Sequence, residues 1–510
     1  MKPAHSSDVR LTSRCPATLA RLSGAAAFAA MAALMGCSPE SLTDAHPAAP
    51  SAPSYSSLRN GSTFVVNVSN DTTSQNETPL AVNPTNAQNL ITGNNDWNYN
   101  DGCGVNASLD GGKTWTKTLP SGFIPGISKY TNDPAVAGTG TYDYGGDPAV
   151  AFSPDGRTAY FTCFGYQGTP PYGVVLLLSK STDGGLTWTA GGSSAPLTLV
   201  SAFNGNGQAK GSTGQFPDHE SIHVAKDGTI YVPWAQFNGS SGHSPIYVAT
   251  SRDGGASFGA PVLVTSGSVH SDQDARIVTD PATGYAYLTF DNSIQGGKGT
   301  ALFVSVSKDR GATWSAPVRF GTFQNPVCLY PPYCFNITGN QFRGPGSYPV
   351  PAFDPTSKRL FVAYTDIVGG KAQIFLTSAS VSNLAKWSPA LIVAPAAGDR
   401  INVEMSIEPT SGRIDLMAND RSWSNNTLFD ISYFGSSDGG NSWTTQRVTK
   451  SSWDPSQYGV PSGSGFRPFI GDYDGIVSTA TSVGMTWTGP GRTTGALPTN
   501  LEVYFGAVTP

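Results

Sequence analysis

The protein has 510 residues, a formal net charge of −5 and a charged-residue content of 13%. Its 30 Lys and Arg residues argue against a nucleic-acid binder, which needs a basic face to neutralise phosphates. Gly (59) and Pro (38) disrupt helix interiors, so their abundance excludes a helical protein and favours a large, turn-rich, all-β protein.

The first 36 residues are predicted to be a secretory signal of the lipoprotein type. A segment with basic residues (1–21) precedes the apolar run 22–36, which is too short to span a bilayer. The ending Leu34-Met35-Gly36-Cys37 resembles a bacterial lipobox, in which the cysteine is lipidated. An ordinary cleavable signal with a chance cysteine is the alternative.

Residues 37–60 are rich in Pro, Ala and Ser and are expected to form an extended tether before a folded domain at 61–510. The sequence therefore predicts an exported protein, anchored by lipid to a bacterial membrane or cell surface. This lipid is its only expected contact with a membrane.

Four cysteines remain after the signal: Cys103, Cys163, Cys328 and Cys334. An even number in an oxidising compartment indicates two disulfides. Cys328 and Cys334 bracket a short loop and pair easily, which leaves Cys103 with Cys163 by elimination. Neither a CxxC motif nor a histidine cluster accompanies them, which argues against a zinc site.

An eight-residue motif, S-x-D-x-G-x-[ST]-[WF], recurs through the rest of the chain. The five copies are 108–115, 181–188, 251–258, 307–314 and 436–443, and a degenerate copy spans 378–387. Asp accepts hydrogen bonds from backbone N–H groups just ahead of it, and Gly supplies a positive φ where the chain reverses. The motif therefore predicts a hairpin turn, with the aromatic residue beginning the next strand.

This motif resembles the Asp-box, or BNR repeat, of sialidase-like β-propellers. The resemblance implies one β-propeller of four-stranded blades, with these turns between the outer strands and away from the binding face. Candidate strands at 78–83, 90–94, 104–108 and 114–119 make a first blade. Further blades are predicted near 146–190, 219–265, 273–320, 347–394 and 402–449.

A last blade is predicted from both ends of the chain. Strands at 469–477, 483–488 and 501–507 follow the final motif, and an early strand at 62–68 completes the sheet. Such closure removes exposed sheet edges. Seven blades are therefore favoured, with six as the alternative because true sialidases have six.

The innermost strands of a propeller start on one face and line the central channel, so residues at these starts are expected to converge. Acidic residues and arginines recur there although charged residues are scarce. Together with His219 and Tyr473, they are Glu77, Asp147, Asp218, Glu220, Asp272, Asp274, Arg276, Arg343, Arg400, Glu404, Arg467 and Asp472. Propeller mouths bind ligands much as barrel mouths do, which makes this face the predicted functional site.

Short segments also look like bacterial secreted proteins labelled sialidase or exo-alpha-sialidase. They are Gln75-Asn76-Glu77, Asp420-Arg421 and Phe469-Ile470-Gly471-Asp472-Tyr473. In true sialidases three arginines hold the substrate carboxylate, an Asp is the acid/base, and a Tyr activated by a Glu is the nucleophile.

By blade position, this resemblance implies specific roles. Arg343, Arg421 and Arg467 are the candidate carboxylate-binding arginines, with Arg276 and Arg400 in reserve. Tyr473 or Tyr348 with Glu404 is the candidate nucleophile pair, and Asp147 or Asp218 the acid/base. Glu77, Asp274 and Asp472 are expected to line the substrate site.

Two functions remain open from the sequence. The first is an exo-alpha-sialidase-type glycoside hydrolase, or a glycan binder, for acidic sugars. The second is a non-catalytic surface propeller that binds protein or polysaccharide. We expect a monomer with a glycan partner and no cofactor; a structural calcium at 472–475 is the alternative, although the spacing of a calcium loop is missing.

Overall fold

The computed structural model describes residues 59–60, 62–70, 73–97, 102–119, 142–167, 173–188, 197–204, 214–292, 301–324, 335–337, 340–342, 347–462, 465–491 and 500–510. The predicted signal, Cys37 and the tether as far as residue 58 lie outside these residues. Cys328, Cys334 and Arg343 also lie outside them. Roles predicted for them stay predictions.

The described chain folds into seven four-stranded blades arranged in a ring, which confirms the predicted propeller and its favoured blade number. Blade 1 consists of Gln75–Asn76 with Leu80–Asn83, Asn86–Asp96, Gly102–Ser108 and Thr116–Leu119. Blade 2 consists of Tyr144–Phe152, Ala159–Tyr166, Gly173–Ser181 and Leu197–Asn204. Blade 3 consists of Gln215–Asp218 with His223–Val224, Ile230–Asn238, Ile246–Ser251 and Val262–Leu263.

Blade 4 consists of Gln273–Thr279, Ala286–Asn292, Ala301–Ser307 and Val318–Thr322. Blade 5 consists of Val350–Asp354, Arg359–Val368, Lys371–Ser380 and Leu391–Ile392. Blade 6 consists of Arg400–Ile407, Ile414–Asp420, Asp430–Ser436 and Thr444–Arg447, and Arg59–Asn60 pairs in parallel with the last of these strands. Two short hairpins, Phe335–Ile337 with Asn340–Phe342 and Val460–Ser462 with Gly465–Arg467, and the 3₁₀ turns Ser422–Ser424 and Pro455–Gln457 complete the structure.

Blade 7 closes the ring with strands from both ends of the chain. Gly475–Ser478, Val483–Pro490 and Leu501–Val508 are its inner strands, and Ser62–Asn67 pairs antiparallel with the last of them. Gly475–Ser478 contacts Leu80–Asn83 of blade 1, so every blade has two neighbours. The inner strand begins at residue 475 and not at 469 as predicted, because Gly471 takes a φ of 95° and the preceding segment forms a loop.

The five complete motif copies form one and the same turn between the third and fourth strands of blades 1, 2, 3, 4 and 6. In the first copy Gly112 N–H donates to Ser108 Oγ at 2.9 Å and Thr114 Oγ1 donates to Asp110 Oδ2 at 2.6 Å. The equivalent bonds recur in the other four copies. The sequence pattern is therefore explained by local hydrogen bonding.

The hydrophobic core is divided into layers between adjacent blades. Ile91 and Phe161, for example, belong to one buried cluster shared by blades 1 and 2, and comparable clusters lie between each following pair around the ring. A disulfide between Cys103 and Cys163 joins blades 1 and 2, as predicted. No helix among the described residues is long and apolar enough to cross a membrane.

Candidate functional site

Six blades place a residue with positive φ near the start of the inner strand. These residues are Glu77 (59°), Asp147 (54°), His219 (57°), Asp274 (48°), Asn402 (55°) and Gly471 (95°). Five of the six are not glycine, and a left-handed conformation costs such residues about 1–2 kcal/mol. Strained backbone of this kind clusters at functional sites, so the ring of left-handed residues is the first structural sign of one.

The strain comes with β-bulges that re-aim side chains. The pairing register shifts between Gly146 and Ala149, between Gln273 and Arg276, and between Ile401 and Glu404. Bulges are frequent next to active sites because they redirect a side chain out of the regular alternation. Here the residue two positions after the left-handed one is Arg276, Glu404 or Tyr473 in blades 4, 6 and 7.

His219 connects four blades through its backbone and ring. Its N–H donates to Asp147 Oδ2 at 2.8 Å, and its Nδ1 lies 3.3 Å from Asp274 Oδ1. The imidazole contacts two phenol rings, with its centroid 4.9 Å from that of Tyr348 and 5.4 Å from that of Tyr473. Because these partners belong to blades 2, 4, 5 and 7, the inner-strand starts do converge on one axial region.

Arg276 forms an ion-pair bridge across this region. Its guanidinium lies 3.2 Å from Asp274 Oδ1 and 2.6 Å from Glu404 Oε2. Burial raises the pKa of both carboxyl groups, and the guanidinium opposes that rise. Arg276 therefore has two carboxylate partners within the protein, and Glu404, predicted to activate a tyrosine, is bound by an arginine.

Five acidic residues form what we call the axial acidic cluster: Glu77, Asp147, Asp218, Glu220 and Asp472. Burial raises the pKa of Asp147 well above its usual range, and the charge of Asp218 raises it further. Asn95 bridges two members of the cluster, because its amide donates to Glu77 Oε2 while its Oδ1 accepts Asp147 N–H at 2.9 Å. Such crowding favours the protonated form of the buried members.

Glu220 is the most distinctive member of the axial acidic cluster. Only 3% of the residue is exposed, and neither carboxyl oxygen has a hydrogen-bond partner among the described residues. Burial raises its pKa well above the ordinary value, and the charges of Asp147, Asp218 and Glu77 add to the rise. Glu220 is thus a buried carboxylic acid that holds a proton where an ordinary glutamate has lost it.

Asp218 and Asp472 differ from Glu220 because both are partly exposed. Asp218 Oδ2 accepts a 2.8 Å hydrogen bond from the Gln273 amide. The Asp472 N–H donates to Glu77 Oε1 at 3.3 Å, which fixes this loop of blade 7 against blade 1. The cluster therefore combines a buried acid with carboxylates nearer the solvent.

Tyr473 adds a buried phenol to the same region. Its hydroxyl donates to Pro148 O at 2.9 Å, and burial together with the charges of Glu77, Asp147 and Glu220 raises its pKa well above the usual value. Both effects favour the neutral phenol. A tyrosinate nucleophile is therefore not what this geometry stabilises.

The other predicted arginines have different surroundings. Arg421 is buried in blade 6, with Nη1 3.3 Å from Asp399 Oδ2 and its guanidinium over the Phe429 ring. Arg400 is also buried and pairs with Asp420 at 3.0 Å. Arg467 ends the short strand Gly465–Arg467 that precedes blade 7 and lies over the Phe469 ring at 5.6 Å.

The sequence placed the triplet Asp218-His219-Glu220 at the start of one inner strand but did not assign His219 or Glu220 to the substrate site. Their importance follows from the left-handed turn at His219, which aligns the triplet with Glu77 and Asp147 in blades 1 and 2. One sequence signal could have revealed this alignment. A polar residue comes just before the β-branched or apolar run of each inner strand, and this pattern repeats from blade to blade.

The described residues contain no group of three or more His, Cys, Asp or Glu side chains placed to hold a metal ion. In particular, the segment 472–475, considered above for calcium, contributes Asp474 to a protein network in which Asn402 Nδ2 donates to Asp474 Oδ2 at 2.7 Å.

No family model and no curated protein matches the sequence. Among solved structures, a Dyadobacter fermentans protein of unknown function is 12% identical, with a TM-score of 0.47 over 88% of this chain and 98% of that one. Penicillium chrysogenum alpha-L-arabinanase is 13% identical (TM-score 0.42; 71% and 92%), and Trypanosoma rangeli sialidase is 12% identical (TM-score 0.39; 68% and 53%).

Proposed function

We propose that this protein is an exported, lipid-anchored propeller that hydrolyses glycosidic bonds at the axial acidic cluster. The observation that carries the proposal is Glu220, a buried carboxyl group without a hydrogen-bond partner among the described residues, surrounded by other acids. Most glycoside hydrolases use a carboxylic acid that keeps its proton near neutral pH and a second carboxylate that is ionised.

Glu220 is the proposed proton donor to the leaving oxygen. Asp218, partly exposed and held by the Gln273 amide, is the proposed carboxylate that stabilises positive charge on the sugar or activates water. Asp147 is a positioning residue, since its charge raises the pKa of Glu220 and its carboxylate accepts the His219 N–H. Neither role uses a tyrosine nucleophile.

A second function is favoured by a different observation. Asp147 and Glu77 accept backbone N–H groups from blades 3 and 7, so part of the axial acidic cluster connects blades. A propeller whose axial acids serve this structural role would be a non-catalytic scaffold that binds glycan or protein. Binding without turnover would support this second function.

The test is hydrolysis of a panel of chromogenic glycosides and natural oligosaccharides. Loss of a general acid lowers kcat by about 10²–10⁴-fold, so we expect that loss in Glu220→Gln. Glu408→Gln is the matched control, because Glu408 is also buried but lies in the turn after the inner strand of blade 6. Turnover that survives Glu220→Gln would overturn the site, and no turnover by the native protein would overturn the enzyme proposal.

A further inference from the structure

We propose that the protein has a second glycan-binding site, without catalytic groups, in a recess between blades 1 and 2, and that its ligand is a neutral sugar. The recess has a volume of about 590 Å³ and is bounded by residues between 83 and 89 and Leu109 of blade 1 and by 156–158 and 182–184 of blade 2. We call it the blade 1–2 recess. Its volume is within the range of about 300–1,000 Å³ that is typical of small-ligand sites.

The blade 1–2 recess and the axial acidic cluster lie at opposite ends of the inner strands. Glu77 and Asp147 are near the starts of these strands in blades 1 and 2. Asn83 ends the first of them, and Gly156 lies in the turn that follows the second. A ligand in the recess is therefore separated from Glu220 by the length of a strand, and its binding does not depend on hydrolysis at the axis.

A difference between the repeats accounts for the open space. On the second strand of blades 1 to 3, the residue after the partner of the motif serine faces the motif of the next blade. This residue is Tyr160 in blade 2 and Tyr231 in blade 3, and the Tyr160 hydroxyl donates to Gly254 O at 3.4 Å. In blade 1 it is Ile91, which is shorter and has no polar end. The space that a tyrosine fills at the next two junctions thus stays open between blades 1 and 2.

Two buried asparagines form a hydrogen-bonded floor for the recess. Asn83 Nδ2 donates to Asn89 Oδ1 at 3.1 Å and to Gly156 O at 2.8 Å. Asn89 Nδ2 donates to Gly184 O at 2.8 Å, so both turns of blade 2 are fixed to blade 1. Because these bonds form within the protein, a ligand meets a preorganised surface, and binding adds little ordering cost.

The rim of the recess offers uncharged groups suited to a sugar. Asn86 is exposed, and because its Oδ1 accepts the Gln88 N–H at 3.1 Å, its Nδ2 remains for a ligand. Thr182 is also exposed and adds a hydroxyl. Leu109 is 52% exposed and supplies an apolar surface for the C–H face of a pyranose ring. Small-ligand sites combine apolar contact with a few placed polar groups in this way.

Two observations favour a sugar over an anion or a peptide. The guanidinium of the lining residue Arg157 already has its Nε 3.8 Å from Asp155 Oδ2, and the carboxylate of Asp183 lines the same recess. An anion would therefore meet two carboxylates beside this cation, whereas a sugar hydroxyl can both donate and accept. Peptides dock by adding a strand to a sheet edge or by filling an apolar groove, and a recess built from turns with one leucine at its rim offers neither.

The experiment measures, by calorimetry, the affinity of Glu220→Gln for maltotriose, cellotriose, xylotriose, arabinotriose and lactose, with 3′-sialyllactose as the charged counterpart of lactose. This variant prevents hydrolysis at the axis, and the native protein is measured in parallel. We expect at least one neutral sugar to bind. Adding Asn86→Ala should weaken that binding by about 2–10-fold, because one neutral hydrogen bond is lost.

A blocking variant identifies the site. Thr182→Trp, added to Glu220→Gln, places a bulky ring in the recess and should weaken sugar binding by more than about tenfold, since the ring occupies the volume of the ligand. Ser437→Trp is the matched control, because Ser437 is the exposed residue at the same motif position in blade 6. Circular dichroism checks that both variants fold, and if Thr182→Trp does not, Asn86→Ala decides by the same criterion.

Three results would overturn the inference. They are binding of none of the neutral sugars, equal sugar affinity in the Thr182→Trp and Ser437→Trp proteins, and tighter binding of 3′-sialyllactose than of lactose at a site that Thr182→Trp blocks. Absence of hydrolysis by the native protein would overturn the proposed function alone. Hydrolysis together with sugar binding that Thr182→Trp leaves unchanged would overturn this inference alone.

Discussion

Gly185 tests whether the repeated turns hold neighbouring blades together. It is the second glycine of the motif in blade 2, and its φ is 94°. A Cβ at this position would lie 2.5 Å from Ile91 Cγ2 and 3.4 Å from Ala107 Cβ, both in blade 1. Gly185→Ala therefore introduces both backbone strain and an overlap with a buried side chain of the preceding blade.

The expected cost has two parts. A non-glycine residue in a left-handed conformation costs about 1–2 kcal/mol. Forcing one extra methyl group into a well-packed core costs about 1–3 kcal/mol more, and Ile91 is fully buried. Together the free energy of unfolding should fall by about 2–5 kcal/mol.

Gly228→Ala is the matched control, because Gly228 has a φ of 85° and no atom within 4 Å of the added Cβ. In this variant the free energy of unfolding should fall only by the cost of the left-handed backbone, about 1–2 kcal/mol. The assay is chemical denaturation followed by near-ultraviolet circular dichroism. Equal losses in the two variants would refute the claim that this turn packs against the neighbouring blade.

Two further predictions concern stability. Burial raises the pKa of Asp272 to about 7, so its folded form binds a proton more tightly than the unfolded chain does. Its contribution is therefore present below about pH 4 and is lost as the pH rises to about 7. Over this window the free energy of unfolding of the native protein, measured by chemical denaturation at a series of pH values, should fall relative to that of Asp272→Asn by up to about 4 kcal/mol. Separately, Cys163→Ser should lower the free energy of unfolding by about 2–4 kcal/mol, because the Cys103–Cys163 bond closes a separation of 60 residues.

Each of these has a simple contradicting result. Parallel pH profiles for Asp272→Asn and the native protein would show that this carboxyl group has the same pKa folded and unfolded. Denaturation of Cys163→Ser at the native midpoint would show that the disulfide between blades 1 and 2 adds nothing to the fold.

The fold was accessible from the sequence because the repeated turn is local. Ser108, Asp110, Gly112 and Thr114 bond to one another within seven residues, so each copy carries its own structure. Blade 7 was predictable for a different reason, since unassigned strands remained at both ends of the chain. The start of its inner strand was not, because the left-handed Gly471 leaves no mark in the hydrophobic pattern.

The site was only partly accessible, since its contacts are between blades that are distant in sequence. The strand-start rule placed Glu77, Asp147 and Asp274 near the axis, where the structure has them. It gave no sign that Arg276 would bind Glu404, 128 residues away, or that Tyr473 would donate to a backbone carbonyl. Pairing of this kind depends on the closed ring and not on any one segment.

The most direct test of the account is the rate of glycan hydrolysis by the native protein and by Glu220→Gln across a range of pH. We predict that turnover by the native protein declines at high pH, as Glu220 loses its proton, and that the variant loses about 10²–10⁴-fold in rate. A variant as active as the native protein at every pH would contradict it.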